Sequence, residues 1–189
     1  MAQKISFRDE IKRNKIKSIV LISIIFIFFI LLGYIIALVL NPSYFFIIMI
    51  ISIIFSLSYV LISYYNSDRI AIASVKAKPA ERTTHAKFYR AAENMALASG
   101  LPMPKLFVMN SYEINAFASG RDPKNSVICV TTGALEKLNK EELEGVIAHE
   151  MSHIANYDIR FMTLATVLIG MISIAAQIFL RSLWFQSFD

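Results

Sequence analysis

The sequence predicts an α+β membrane protein: an N-terminal transmembrane helical hairpin, a small mixed unit on the cytosolic side, and a third transmembrane helix. Three observations carry that expectation. Of 189 residues, 56% are hydrophobic and only 17% charged, and the mean hydropathy is +0.55, too apolar for an ordinary soluble domain. The apolar residues are also concentrated: neither Ser18 to Leu40 nor Tyr44 to Tyr65 contains a charge, and each run can cross a hydrocarbon core of about 30 Å. Between residues 66 and 160 the long apolar runs give way to short helical and alternating segments with turn residues between them.

Residues 1–17 form a basic tail, with Lys4, Arg8, Lys12, Arg13, Lys15 and Lys17 against Asp9 and Glu10. By the positive-inside rule this end is cytoplasmic. Asn41-Pro42-Ser43 leaves room only for a tight turn, so spans 18–40 and 44–65 form a hairpin and the chain returns to the cytoplasm near Asn66. The first apolar run is too long for a cleaved signal peptide, and no A-x-A-like site follows it. The net charge of +5 resides largely in this tail, where anionic membrane lipid is the simplest partner; nothing calls for nucleic acid. The lone Cys129 has no internal disulfide partner, in keeping with a reducing compartment.

Residues 66–160 read as a compact α+β unit. Thr83 or Thr84 can cap a helix through Ala91 to Ala98, closed by Gly100 and followed by Pro102 and Pro104. Lys105 to Met109 is a candidate strand, Ile114 to Ala118 a second, and Ser126 to Thr131 a third, reached through a turn over Gly120 to Asn125. Ala134 to Leu138 suits a short helix. Asn139 then precedes Lys140-Glu141-Glu142 and an apolar-periodic run, the pattern of an N-cap, an acidic first turn and a capping box opening a helix over about 140–156. A unit of fewer than a hundred residues has a modest core and is expected to borrow burial from the membrane helices or from further chain. A third apolar run, Phe161 to Leu180, either spans the membrane or lies partly in its interface, and residues 181–189 end the chain.

Within that last helix stands His149-Glu150-Met151-Ser152-His153. Two histidines four apart lie one turn above each other on the same face. Their imidazoles can converge on one tetrahedral Zn²⁺, and the glutamate between them reaches a water activated by the metal. With three His and nine Glu in 189 residues, roughly 0.002 accidental matches to this pattern are expected per chain. Leu143, Val146, Ile147 and Ile154 mark the buried stripe, and the stripe position between them is Glu150. A carboxylate there is costly unless it is paired or working. His85, near a helix start, reads as a solvated residue rather than a ligand.

Several further stretches accompany this motif: two N-terminal spans, then Asn115-Ala116-Phe117-Ala118-Ser119-Gly120, Thr131-Thr132-Gly133-Ala134-Leu135, and Glu141 through Asn156 around the two histidines. In this order and combination the chain resembles HtpX-type membrane zinc metalloproteases, bacterial relatives of the CAAX prenyl endopeptidases. The resemblance covers essentially the whole chain. It implies a zincin-like metalloprotease unit facing the cytosol in the bacterial inner (cytoplasmic) membrane, with Zn²⁺ on His149 and His153 and Glu150 as catalytic base. It further implies action on unfolded or membrane proteins, in membrane-protein quality control. In the family the stretch matching Asn115, Ala116, Phe117 and Ala118 is an edge strand beside the cleft, where an extended peptide can add as a further strand. Phe117 reads equally as a plain core aromatic.

One departure from the family pattern stands out. Relatives complete the zinc site with a glutamate on a later helix, whereas after His153 this chain offers only Asp158 and Asp189 as carboxylates. The expectation is an N-terminal portion of the family architecture that lacks the third ligand. Asp158 is too near to reach the metal unless the helix breaks. It suits either an acceptor orienting a histidine or a helix-end residue. The alternatives to an enzyme are a catalytically silent membrane scaffold with an incomplete zinc site, or a structural or transport-associated three-span protein. With no charge inside either of the first two spans, an ion pathway has little support.

Overall fold

The structure, a computed structural model, describes residues 7–39 and 42–166 together with positions 168, 169, 172 and 177. Helix α1, Phe7–Val39, is longer than the apolar run that generates it. The basic segment expected as a tail is helical from Phe7 and continuous with the span, because Lys, Arg, Glu and Ile in succession are good helix formers with nothing to stop them. A 3₁₀ turn at Pro42–Tyr44 reverses the chain into α2, Phe45–Tyr65. Both helices are long and apolar enough to cross a membrane, and large side chains such as Ile19, Leu31, Ile50 and Phe55 point outward from them. The two helices approach closely where small residues meet. A Cβ on Gly33 would lie 2.0 Å from Ser52 Oγ, and the buried Ser56 donates to the Phe26 carbonyl at 3.4 Å. Small residues that let backbones approach are what helix association requires where lipid is as apolar as the side chains.

Beyond α2 come two elements that the periodicity analysis did not anticipate, α3 (Ser67–Ser74) and the two-residue strand β1 (Lys78–Pro79). Both are too short to leave a periodic signal. Helix α4, Ala86–Ser99, has His85 at its N-cap without a side-chain cap, which corrects the expected Thr83 or Thr84. Residues 82–85 instead form turns: His85 N–H donates to the Glu81 carbonyl at 2.8 Å, and Glu81 N–H donates to His85 Nδ1 at 3.1 Å. Gly100 closes α4 at φ 67°, a left-handed position where glycine carries no Cβ penalty.

Strands β2 (Lys105–Met109), β3 (Ala116–Asp122) and β4 (Asn125–Thr131) complete a four-stranded sheet in the order β1-β2-β4-β3. β2 and β4 run parallel, while β1 and β3 are antiparallel to their neighbours. The second strand begins two residues later than expected and runs on to Asp122, so the turn over Gly120 to Asn125 shrinks to Pro123-Lys124, with a bulge at Gly120/Asp122. The Asp122 side chain accounts for the tighter turn. Burial works to raise its pKa, but hydrogen bonds from the Asn125 side chain and from the Asn125 and Lys124 N–H groups, with Arg121 nearby, hold it below the usual carboxylate range.

The sheet is covered on both faces. Leu106, Val108, Ile128 and Val130 pack with Phe88, Ala92, Leu143, Ile147 and Ile154 of α4 and the helix α6 (Lys140–Ala155), while Val127 and Cys129 pack with Ile72 of α3. Asn94 Nδ2 donates to Glu144 Oε1 at 2.9 Å and links α4 to α6. The short helix α5, Thr132–Lys137, starts two residues before the expected Ala134 because the Thr131 side chain caps it. Helicity resumes over residues 158–166. Half of the expected third span, 161–180, lies outside the described residues.

Candidate metal centre and substrate edge

Helix α6 is built as its sequence suggests. Asn139 Oδ1 accepts from the Glu142 N–H, and Glu142 Oε2 accepts from the Asn139 N–H, both at 2.9 Å. This reciprocal pair fixes where the helix starts and therefore which residues share a face three turns later. Leu143, Ile147, Met151 and Ile154 are buried, Val146 is half-buried, and Glu150 is only 8% exposed. The Glu150 side chain makes no hydrogen bond among the described residues. A largely buried glutamate whose side chain has no hydrogen-bond partner among the described residues is unusual as a purely structural feature.

His149 and His153 point their Nε2 atoms at each other, 3.2 Å apart, with the rings near perpendicular at 88°. Zn–N bonds of about 2.0–2.1 Å in a tetrahedral site would put two donor nitrogens about 3.3 Å apart, so this donor pair has the spacing a zinc ion requires. The same distance also suits a direct imidazole–imidazole hydrogen bond. Among the described residues no group of three His, Cys, Asp or Glu converges to hold a metal, so a third protein ligand is not among them.

Asp158 does not reach the metal position; it reaches a histidine. Asp158 Oδ2 lies 3.2 Å from His153 Nδ1. The helix breaks to permit it: Asn156 and Tyr157 form a turn, and Tyr157 takes φ 60°. That conformation costs a bulky residue of order 1–3 kcal/mol. Two cations hold the Tyr157 ring, Lys15 Nζ at 4.4 Å and the Arg160 guanidinium at 5.4 Å from its centre. An acceptor on Nδ1 keeps the proton there and leaves the Nε2 lone pair directed at the metal position. The exposed His149 has no such partner among the described residues.

β3 is one of the two edges of the sheet, and α6 packs along it. Asn115 lies just before the strand and pairs with Thr131, accepting from its N–H at 3.0 Å, while Asn115 Oδ1 accepts from the Ala116 N–H at 2.8 Å. Hydrogen-bonded pairs alternate along an antiparallel ladder, so Ala116 and Ala118 turn their peptide groups away from β4. The far end of β3 is tied down: Ser119 Oγ is 3.0 Å from Thr163 Oγ1, and Arg160 Nε donates to the Arg121 carbonyl at 2.8 Å. The open edge is thus restricted to the residues near 115–118. Phe117, half-buried, packs against Ile72, Val127 and Cys129 on the α3 face.

Burial pushes the Cys129 thiol up to about 11, so it is no nucleophile at neutral pH. Sequence reasoning did not find Asn14, which contacts Asp158 from the other end of the chain; no local pattern links positions 144 residues apart.

Residues 82–188 match the model of peptidase family M48. Over 131 residues, 69% of this chain and 44% of the relative, the chain is 50% identical to a protease HtpX homolog of Caldanaerobacter subterraneus subsp. tengcongensis. It is 37% identical over 181 residues to one of Dictyoglomus thermophilum, covering 96% of this chain and 59% of that protein. Against one of Streptococcus thermophilus it is 38% identical over 168 residues, or 89% of this chain and 56% of the relative. The chain thus spans about half the length of the curated relatives it matches. With the family model covering more than half of its residues and both histidines inside the matched region, the chain belongs to peptidase family M48 and is HtpX-like in sequence.

Proposed function

We propose that this chain carries the core of a membrane-anchored zinc endopeptidase that cleaves unfolded or membrane proteins from the cytosolic face of the bacterial inner membrane. The observation that carries the reading is the donor pair, His149 and His153, with the largely buried Glu150 between them on one capped helix. Zinc bound there supplies a Lewis acid that polarises the scissile carbonyl and acidifies water. His149 and His153 bind it through Nε2, and Asp158 orients His153 through Nδ1. Glu150 takes the proton from the attacking water and delivers it to the leaving amine. The edge near Ala116 to Ala118 holds the substrate as an added strand, through main-chain hydrogen bonds that demand little of its side chains. That suits a protease acting on many unfolded sequences. The membrane hairpin, contacting lipid along its outward apolar faces, keeps the site at the bilayer surface.

The metal is tested directly. Full-length protein purified from the membrane should carry about one zinc per chain and hydrolyse an unfolded protein, and His149→Ala should lose both. Zinc retained at the parent level by His149→Ala would place the metal elsewhere.

Orientation is tested in whole cells. With the tail and residues 66–160 both cytosolic, a cysteine placed at Pro42 should react with an impermeant thiol reagent once the outer membrane, if present, is opened. One at Asp122 should react only after lysis. The reverse pattern overturns the cytosolic assignment.

A further inference from the structure

Asn14 lies on α1 just before the apolar span and is half-buried against the turn that follows α6. Its side-chain amide donates twice. One bond goes to the Asn156 carbonyl at 3.1 Å, a helix-end carbonyl that α6 cannot satisfy internally. The other goes to Asp158 Oδ1. The second oxygen of that carboxylate, Oδ2, holds His153 Nδ1 at 3.2 Å. Asp158 therefore bridges an amide on the membrane helix and an imidazole of the donor pair.

Within α1, the buried Ser18 donates to the Asn14 carbonyl at 2.9 Å, and two contacts of the neighbouring lysines join the same two segments. Lys15 lies over the Tyr157 ring at 4.4 Å, and Lys17 lies 5.7 Å from the centre of the Phe161 ring. A carboxylate held at one oxygen only can rotate about its terminal bond, and the direction of its other oxygen is then undefined. Held at both, it fixes the plane of His153. The chemistry of the holder matters: an amide N–H donates, which keeps Asp158 an acceptor toward the imidazole.

We propose that Asn14 is a positioning residue of the metal site, acting through Asp158 on His153, so that docking of the first membrane helix completes the donor geometry. This rests on the zinc reading above. It makes metal affinity depend on a residue of the hairpin that never touches the metal.

The test uses full-length protein in detergent or lipid discs, with zinc affinity measured by chelator competition and the Co²⁺-substituted form followed by visible absorption. Removing an acceptor behind a metal-binding histidine costs about 10- to 100-fold in affinity, and Asp158→Ala should fall in that range. Asn14→Leu, one step further out, should cost about 3- to 10-fold and move the Co²⁺ spectrum in the same direction as Asp158→Ala. Asn14→Asp, which sets acceptor against acceptor, should weaken binding at least as much and provides an isosteric variant should the leucine fail to fold. Because Asn14 acts through Asp158, adding Asn14→Leu to Asp158→Ala should change affinity by less than about twofold. Lys12→Ala, which removes an exposed charge from the same stretch of α1 away from Asp158 and Tyr157, should leave affinity within about twofold of the parent. Independent multiplication of the Asn14 and Asp158 effects, or equal losses in the Lys12 and Asn14 variants, overturns the proposal. If the parent holds no zinc that His149→Ala removes, the zinc reading itself fails. If it does and Asn14→Leu and Asn14→Asp both bind like the parent, only the positioning role fails.

Discussion

Glu150→Gln is expected to abolish peptide hydrolysis by the full-length protein, self-cleavage included, while leaving its zinc content close to the parent's. The substitution preserves shape and removes only the ability to accept a proton. A loss of about 10²-fold or more is expected for a positioned acid–base group. Replacing the carboxylate by a neutral amide of the same shape should not unfold the protein, because the Glu150 side chain makes no hydrogen bond among the described residues that the amide would break. The fold therefore loses little while the chemistry loses its base. Side-by-side measurement of zinc by atomic spectroscopy and of hydrolysis of an unfolded protein separates the two effects. Near-parental activity in Glu150→Gln would falsify the assigned mechanism.

The second large effect concerns the metal. A 189-residue polypeptide with this sequence is expected to retain far less than one zinc after purification and to hydrolyse peptides negligibly. Two imidazoles converge, but no third His, Cys, Asp or Glu joins them among the described residues, and Asp158 is committed to His153 Nδ1 rather than to the metal position. Three protein ligands are the catalytic norm for zinc, and loss of one should cost more than the 10- to 100-fold that follows loss of an orienting partner. A polypeptide extended to the length of the relatives, with a glutamate on a later helix, should regain both zinc and activity. Stoichiometric, chelator-resistant zinc in the 189-residue chain would show that the described site closes in some other way, such as through a neighbouring copy.

Much of this protein is local, and what is local could be read from its sequence. The two long helices follow from uninterrupted apolar runs with no proline inside them, each long enough to cross a membrane. Helix α6 follows from a cap that pairs Asn139 with Glu142, and the convergence of His149 and His153 from a four-residue spacing that any helix turns into one face. The buried position of Glu150 follows from the same periodicity. Short elements escaped: α3 and β1 have too few residues for a period, and the α4 start depends on turns around Glu81 rather than on a threonine cap. The β3–β4 turn tightened because Asp122 gathers three donors, a convergence that turn composition alone does not specify. Only the tertiary structure decided what Asp158 does. In sequence it follows His153 by five residues, which on a continuous helix would point it away. A break at Tyr157, held by cations from α1 and from residue 160, brings it back onto Nδ1. Asn14 joins it from 144 positions upstream, a contact whose entropic cost is met by docking two whole segments and which no pattern along the chain can encode.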